Sequence, residues 1–136
     1  MTEVVICSVS RTPVGKFRGS LAPFSAVELG VLSVKNLLSR MNIDPSSGII
    51  DEVIFGQVLQ AGAGQAPARQ VAIGAGLPVT TPALTINKVC GSSLKAVMLA
   101  ANAVRSGEYS CIIAGGMESM TNAPKLLIQG QEEAKS

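Results

Sequence analysis

The sequence predicts an α/β fold, an open mixed sheet covered by helices on both faces. Three observations point to it. Short, nearly continuous apolar runs, such as residues 4–9 (VVICSV) and 109–114 (YSCIIA), read as strands buried on both sides. Segments with apolar residues at helical spacing lie between such runs, giving the order β-α-β-α-β-α-β with short connections. Aromatics make up only 3% of the chain while glycine occurs 14 times, which fits closely packed backbones.

The elements follow in order. Residues 4–9 form the first strand, with Cys7 as a core residue. The stretch 11–19 is an irregular basic loop. Arg11, Lys16 or Arg18 could meet a phosphate there, although a solvated loop is the preferred reading. Ser25-Ala26-Val27-Glu28 has the form of a capping box, and Phe24 and Leu29 occupy the hydrophobic-staple positions. A helix to about Met41 follows, with Val27, Val31, Val34, Leu38 and Met41 as its apolar stripe. Asp44-Pro45 and Gly48 break it. Residues 49–56 (IIDEVIFG) are the second strand.

Gly62 and Gly64 open the stretch 62–70 (GAGQAPARQ), which meets neither the dinucleotide nor the P-loop spacing. Pro67 suits the first turn of a short helix through Ile73. This segment reads as structural, with a subunit contact as one use for it. Residues 82–89 (PALTINKV) are the third strand. The next helix carries Leu94, Val97, Met98, Ala101 and Val104 on its apolar face, Met98 as a core filler, and Gly107 ends it. Residues 109–114 are the fourth strand, with Cys111 in the core, and residues 115–120 leave it as a tight loop. Residues 129–136 read as a frayed polar tail.

Composition narrows the function. Apolar residues make up 47% of the 136 and charged residues 15%, so the chain is globular. A net charge of +2 without a basic cluster gives no case for nucleic acid. No apolar run approaches the roughly 18 residues of a membrane span. The start shows neither a long apolar signal nor an Arg-rich presequence, so a soluble cytoplasmic protein is expected. The three cysteines are widely spaced, with no disulfide framework or zinc spacing, which fits a reducing compartment. There is no histidine, so any mechanism needing an imidazole base cannot be completed by these residues alone.

Cys90 is the candidate catalytic residue. It stands between a β-branched strand and a helical pattern, followed by the small residues Gly91, Ser92 and Ser93. The unpaired N–H groups and positive dipole end of the helix would favour its thiolate. The small residues leave room for substrate, and a backbone N–H could hold the oxyanion of an acyl adduct. The competing reading is a packing cysteine, since free cysteines are among the most buried residue types.

Residues 86–97 (INKVCGSSLKAV) resemble the active-site cysteine signature of the thiolases. Three further segments are similar to that family and stand in its order: residues 11–15 (RTPVG), 62–70 and 114–120 (AGGMESM). Asn87-Lys88-Val89-Cys90 is most similar to the acetoacetyl-CoA branch, and argues against the β-ketoacyl synthase type. The resemblance implies the N-terminal half of a thiolase-like fold, with residues 1–120 as an incomplete N-terminal domain and 121–136 as the start of a loop region or a tail. It also implies a chemistry. Cys90 attacks acetyl-CoA to give an S-acetyl intermediate, and a second acetyl-CoA, deprotonated at its methyl carbon, takes the acetyl group to give acetoacetyl-CoA and CoA. Neither metal nor redox cofactor is needed; coenzyme A thioesters are the substrates. The complete enzyme is expected to be a homo-oligomer, a dimer or tetramer.

The resemblance also implies what is missing. Family members take an activating histidine, an acid/base cysteine, the CoA-binding loop region and the strand completing this sheet from downstream. The likeness stops after Lys125. Met117, Glu118 and Met120 either approach the site or form a structural loop. The leading expectation is a fragment of the enzyme, inactive alone. The alternatives are a non-catalytic truncated module that binds full-length subunits, and a 3-ketoacyl-CoA thiolase of broader chain length. A half-sheet would expose apolar surface and an unpaired edge, so the isolated chain is expected to associate.

Overall fold

The computed structural model describes residues 3–126 of the chain. Helix α1 (Ala26–Arg40) begins at Ser25. Its hydroxyl accepts from the Glu28 N–H (3.2 Å) while the Glu28 carboxylate accepts from the Ser25 N–H (2.7 Å), so the capping box forms as expected. A Ser25→Ala chain should lose about 1 kcal/mol, read as a lower urea midpoint at unchanged slope. The hydrogen bond from the Ser25 backbone, then that from its side chain, lowers the Glu28 pKa. Glu28 therefore favours folding above its unfolded carboxylate pKa, and that contribution is lost as pH falls through the lowered folded value.

Strand β1 (Glu52–Gly56) lies at the centre of a three-stranded parallel sheet between β2 (Ala83–Ile86) and β3 (Ile112–Gly116). Helix α2 (Pro67–Gly74) starts at Pro67 as expected, and α3 (Ser92–Ser106) links β2 to β3. Alternation along the strands divides the core. Val53, Phe55 and Ile113 join Val34, Leu38, Val71 and Ala72 under α1 and α2. Ile54 turns the other way, onto Ala96 and Ala100 of α3. Helices thus cover both faces. None of them is long and apolar enough to cross a membrane.

Four expectations need correction. The described sheet is wholly parallel rather than mixed. Residues 4–9 make no ladder with any described residue: Val5, Ile6 and Val9 are 66, 76 and 68% exposed, and Cys7 is exposed rather than core. The segment is tied instead to α1, through Arg40 Nη1 to the Val9 carbonyl (3.0 Å) and Ser33 Oγ to that of Ser10 (3.3 Å). An apolar run becomes a strand only where a neighbour's edge can pair with it. The other strands begin or end elsewhere than their apolar runs. The third stops at Ile86 because Asn87 turns the chain. The fourth starts at Ile112 because the Ser110 and Cys111 N–H groups donate to the Asp51 carboxylate (2.7 and 2.8 Å). The proposed tail, 129–136, lies outside the described residues.

The last correction concerns α3. Its buried positions are Ser92, Ala96 and Ala100, whereas Leu94 and Met98 are 67 and 49% exposed. Periodicity offers two stripes on this helix, and the sheet takes the small one because α3 lies close against strand-end glycines. The large stripe faces outward. Sedimentation velocity should therefore find the isolated chain associated, and Leu94→Lys with Met98→Lys should shift it toward monomer.

Candidate active site

The C-terminal ends of all three parallel strands meet beside the start of α3, where open α/β sheets bind ligands. Residues 87–91 carry the chain from β2 into α3 as a tight turn. Asn87 Oδ1 accepts from the Val89 N–H (2.9 Å), and the Gly91 N–H donates to the Lys88 carbonyl (3.0 Å). The buried Ser92 hydroxyl knits the turn from inside, accepting from the Lys88 N–H (2.8 Å) and donating to the Val89 carbonyl (2.6 Å). Val89 is held at φ 49°. A β-branched residue there is strained by about 1–3 kcal/mol, a cost borne where the surroundings fix the backbone.

This turn presents Cys90 at the surface, two residues ahead of the first helical residue. It is not a core cysteine. Gly91 occupies the N-cap, and no side chain caps the helix. Cys90 lines an open hollow of about 530 Å3 with the loop after β1, the first turn of α3 and the segment after β3. Met117, Glu118 and Met120 all line it too, so that segment does approach the site. An exposed thiol just ahead of a helix N-terminus suits attack on a carbonyl carbon, although the Gly91 and Ser92 N–H groups already donate to the Lys88 and Val89 carbonyls (3.0 and 3.1 Å).

Two glycines set the depth of the site. A Cβ on Gly56 would stand 2.5 Å from the Ser92 Cβ and 2.9 Å from the Ser93 nitrogen; one on Gly116 would strike the Ser93 hydroxyl and stand 3.0 Å from the Gly56 carbonyl oxygen. The first turn of α3 rests directly on these strand ends. The loop after β1 is fixed by a carboxylate: Glu118 Oε2 accepts from the Val58 and Leu59 N–H groups (2.9 and 3.2 Å). Sequence reasoning missed Gly56, Gly116 and Gln57 as parts of the site. The available signal was a glycine ending each of two apolar strand runs.

Other candidates fall elsewhere. Arg11 and Lys16 line an adjoining hollow of about 480 Å3 between residues 10–17 and 116–121, which shares Gly116, Met117, Glu118 and Met120 with the first. Arg18 lies over the Phe17 ring (5.3 Å), and its backbone N–H donates to Thr121 Oγ1 (2.9 Å). The glycine loop is held by Gln70, whose amide donates to the carbonyls of Ala63 and Gln65 (both 2.8 Å), a structural use of that stretch. Cys111 is half-buried; burial, then the nearby Asp51 and Cys7, push its thiol pKa up.

The pattern described as "Thiolase, N-terminal domain" matches residues 4–135, so the likeness continues past Lys125, contrary to the expectation that it stops there. The chain is 58% identical over 127 residues to an acetyl-CoA acetyltransferase of Cupriavidus necator, covering 93% of this chain and 32% of that protein. It is 53% identical over 135 residues to a probable acetyl-CoA acetyltransferase of Escherichia coli, covering 99% and 34%. A mitochondrial acetyl-CoA acetyltransferase of Xenopus tropicalis is 48% identical over 130 residues, covering 96% and 30%. The chain thus spans about a third of the length of the curated relatives it matches. With four segments in family order and a pattern match over nearly the whole sequence, the chain belongs to the thiolase family and carries its N-terminal domain.

Proposed function

We propose that this chain is the nucleophile-bearing part of an acetyl-CoA C-acetyltransferase. One observation carries the reading: Cys90 stands exposed in a hollow at the strand ends, on a strained turn directly before an uncapped helix. Cys90 attacks the thioester carbon of acetyl-CoA, the C–S bond to CoA breaks, and CoA leaves as the thiol. The backbone N–H of Cys90 receives the oxyanion. The methyl carbanion of a second acetyl-CoA then attacks the S-acetyl carbon and gives acetoacetyl-CoA, releasing Cys90. The described residues hold a nucleophile without an imidazole base, so the proton transfers belong to the remaining two-thirds of the polypeptide. The outward stripe of α3 favours an assembly in which further polypeptide covers Leu94 and Met98, in one chain or as a homo-oligomer.

The isolated chain tests the nucleophile directly. Iodoacetamide should modify Cys90 first, exposed Cys7 more slowly, and Cys111 last because its raised pKa and burial both protect it. Peptide mapping over a pH series reads all three in one sample. Equal rates for Cys90 and Cys7 in the folded chain would contradict an activated thiol.

A further inference from the structure

We infer that Glu118 is a positioning residue for Cys90, acting through a hydrogen-bonded chain that crosses the three strand ends. The inference rests on reading Cys90 as the nucleophile. Glu118 Oε2, after β3, accepts from the Val58 N–H (2.9 Å) and the Leu59 N–H (3.2 Å), after β1. The carbonyl of the same Val58 accepts from Asn87 Nδ2 (3.3 Å), after β2. The other end of that amide, Asn87 Oδ1, accepts from the Val89 N–H (2.9 Å). Val89 is the strained residue at φ 49° immediately before Cys90. One carboxylate is thereby connected, through a peptide and an amide, to the backbone that aims the thiol. Its first two bonds are charge-assisted and therefore the stronger ones.

The carboxylate is more than a loop staple. Its second oxygen, Oε1, is buried and has no partner among the described residues, and the same holds for Oε1 of Gln57, a residue only 2% exposed. Both side chains line the Cys90 hollow. A buried oxygen without a partner is costly, so each of these two acceptors has a donor to gain in the hollow. A donor seated in the hollow, such as water or a group of the bound thioester, would satisfy them.

Charge and geometry give opposite expectations, which makes the idea testable. Removing a nearby negative charge on electrostatic grounds alone should speed the reaction of a thiol. Removing a positioning group should slow it. Competitive alkylation of the chain at several pH values, with Cys7 as internal reference, separates the two. Glu118→Ala should slow Cys90 by about tenfold, because a loosened turn no longer holds the thiol at the start of α3, where a helix N-terminus promotes its attack. Glu118→Gln, which lacks the charge but keeps an oxygen for both N–H groups, should react at the original rate or faster. Asn87→Ala should match Glu118→Ala, and the double variant should be no slower than either, since both break one chain.

A Glu118→Ala chain at the original rate or faster, a Glu118→Gln chain as slow as Glu118→Ala, or effects that multiply in the double variant would overturn the inference and leave the nucleophile in place. Should Glu118→Ala fail to fold, seen as Cys111 becoming as reactive as Cys7, Asn87→Ala decides: slowed Cys90 supports the chain of bonds and an unchanged rate overturns it. An unsubstituted Cys90 no faster than Cys7 overturns the nucleophile reading, and this inference with it.

Discussion

Cys90→Ser in the complete enzyme is expected to abolish acetyl transfer, with a rate loss of at least about 10³-fold; loss of the nucleophile in a serine hydrolase costs ~10⁶-fold. The oxygen is nearly isosteric, so the turn stays as it is: none of the hydrogen bonds holding residues 87–92 uses the Cys90 side chain. What changes is the nucleophile, because a hydroxyl is far less acidic than a thiol. Cys7→Ser should keep full activity, since Cys7 is exposed on the segment tied to α1 and does not line the hollow. Rates of acetoacetyl-CoA formation, with circular dichroism to confirm folding, distinguish the two variants.

Gly56→Ala is expected to cause the largest loss of stability, at the upper end of the ~1–3 kcal/mol that overpacking costs. The added methyl would meet Ser92 Cβ at 2.5 Å, its carbonyl carbon at 2.8 Å and the Ser93 nitrogen at 2.9 Å. Two of these are backbone atoms, so no rotamer change relieves the contact. Gly56 is also the last residue of the central strand, paired with Ile86 and Gly116 on either side. The strain has to move the first turn of α3, and Cys90 with it. Urea titration should show the lower midpoint, and Cys90 alkylation should slow under conditions where the variant is still folded. Gly116→Ala should be milder, because its tightest contact is the Ser93 hydroxyl, which can rotate.

What the sequence revealed depended on whether a signal was local. The Ser25–Glu28 box, Pro67 at the first turn of α2 and Gly107 after α3 act through neighbours in the chain, and each stands where the pattern put it. The turn bearing Cys90 was legible for the same reason, since small residues directly before a helical pattern mark a helix start, although the strand stops four residues earlier, at Ile86. Signals that depend on distant partners were misread. Residues 4–9 have the composition of a buried strand but no ladder, because pairing belongs to two strands and only one was in view. On α3, hydrophobicity favoured the Leu94 stripe, while the approach of Gly56 and Gly116 favoured the Ala96 stripe. Glu118 was named only through its family-like segment, and its bonds could not be read, as its partners Val58 and Leu59 lie 60 and 59 residues away.

The most direct test of the central account is acetylation at Cys90. A chimera would carry this chain in place of the matching third of the Cupriavidus necator relative, supplying the remaining two-thirds. It would be mixed briefly with acetyl-CoA, quenched in acid, digested and mapped by mass spectrometry. One acetyl group is expected on the peptide containing Cys90, removed by added CoA and absent in Cys90→Ser. A folded chimera that acetylates another residue, or forms acetoacetyl-CoA while Cys90 stays free, would contradict it.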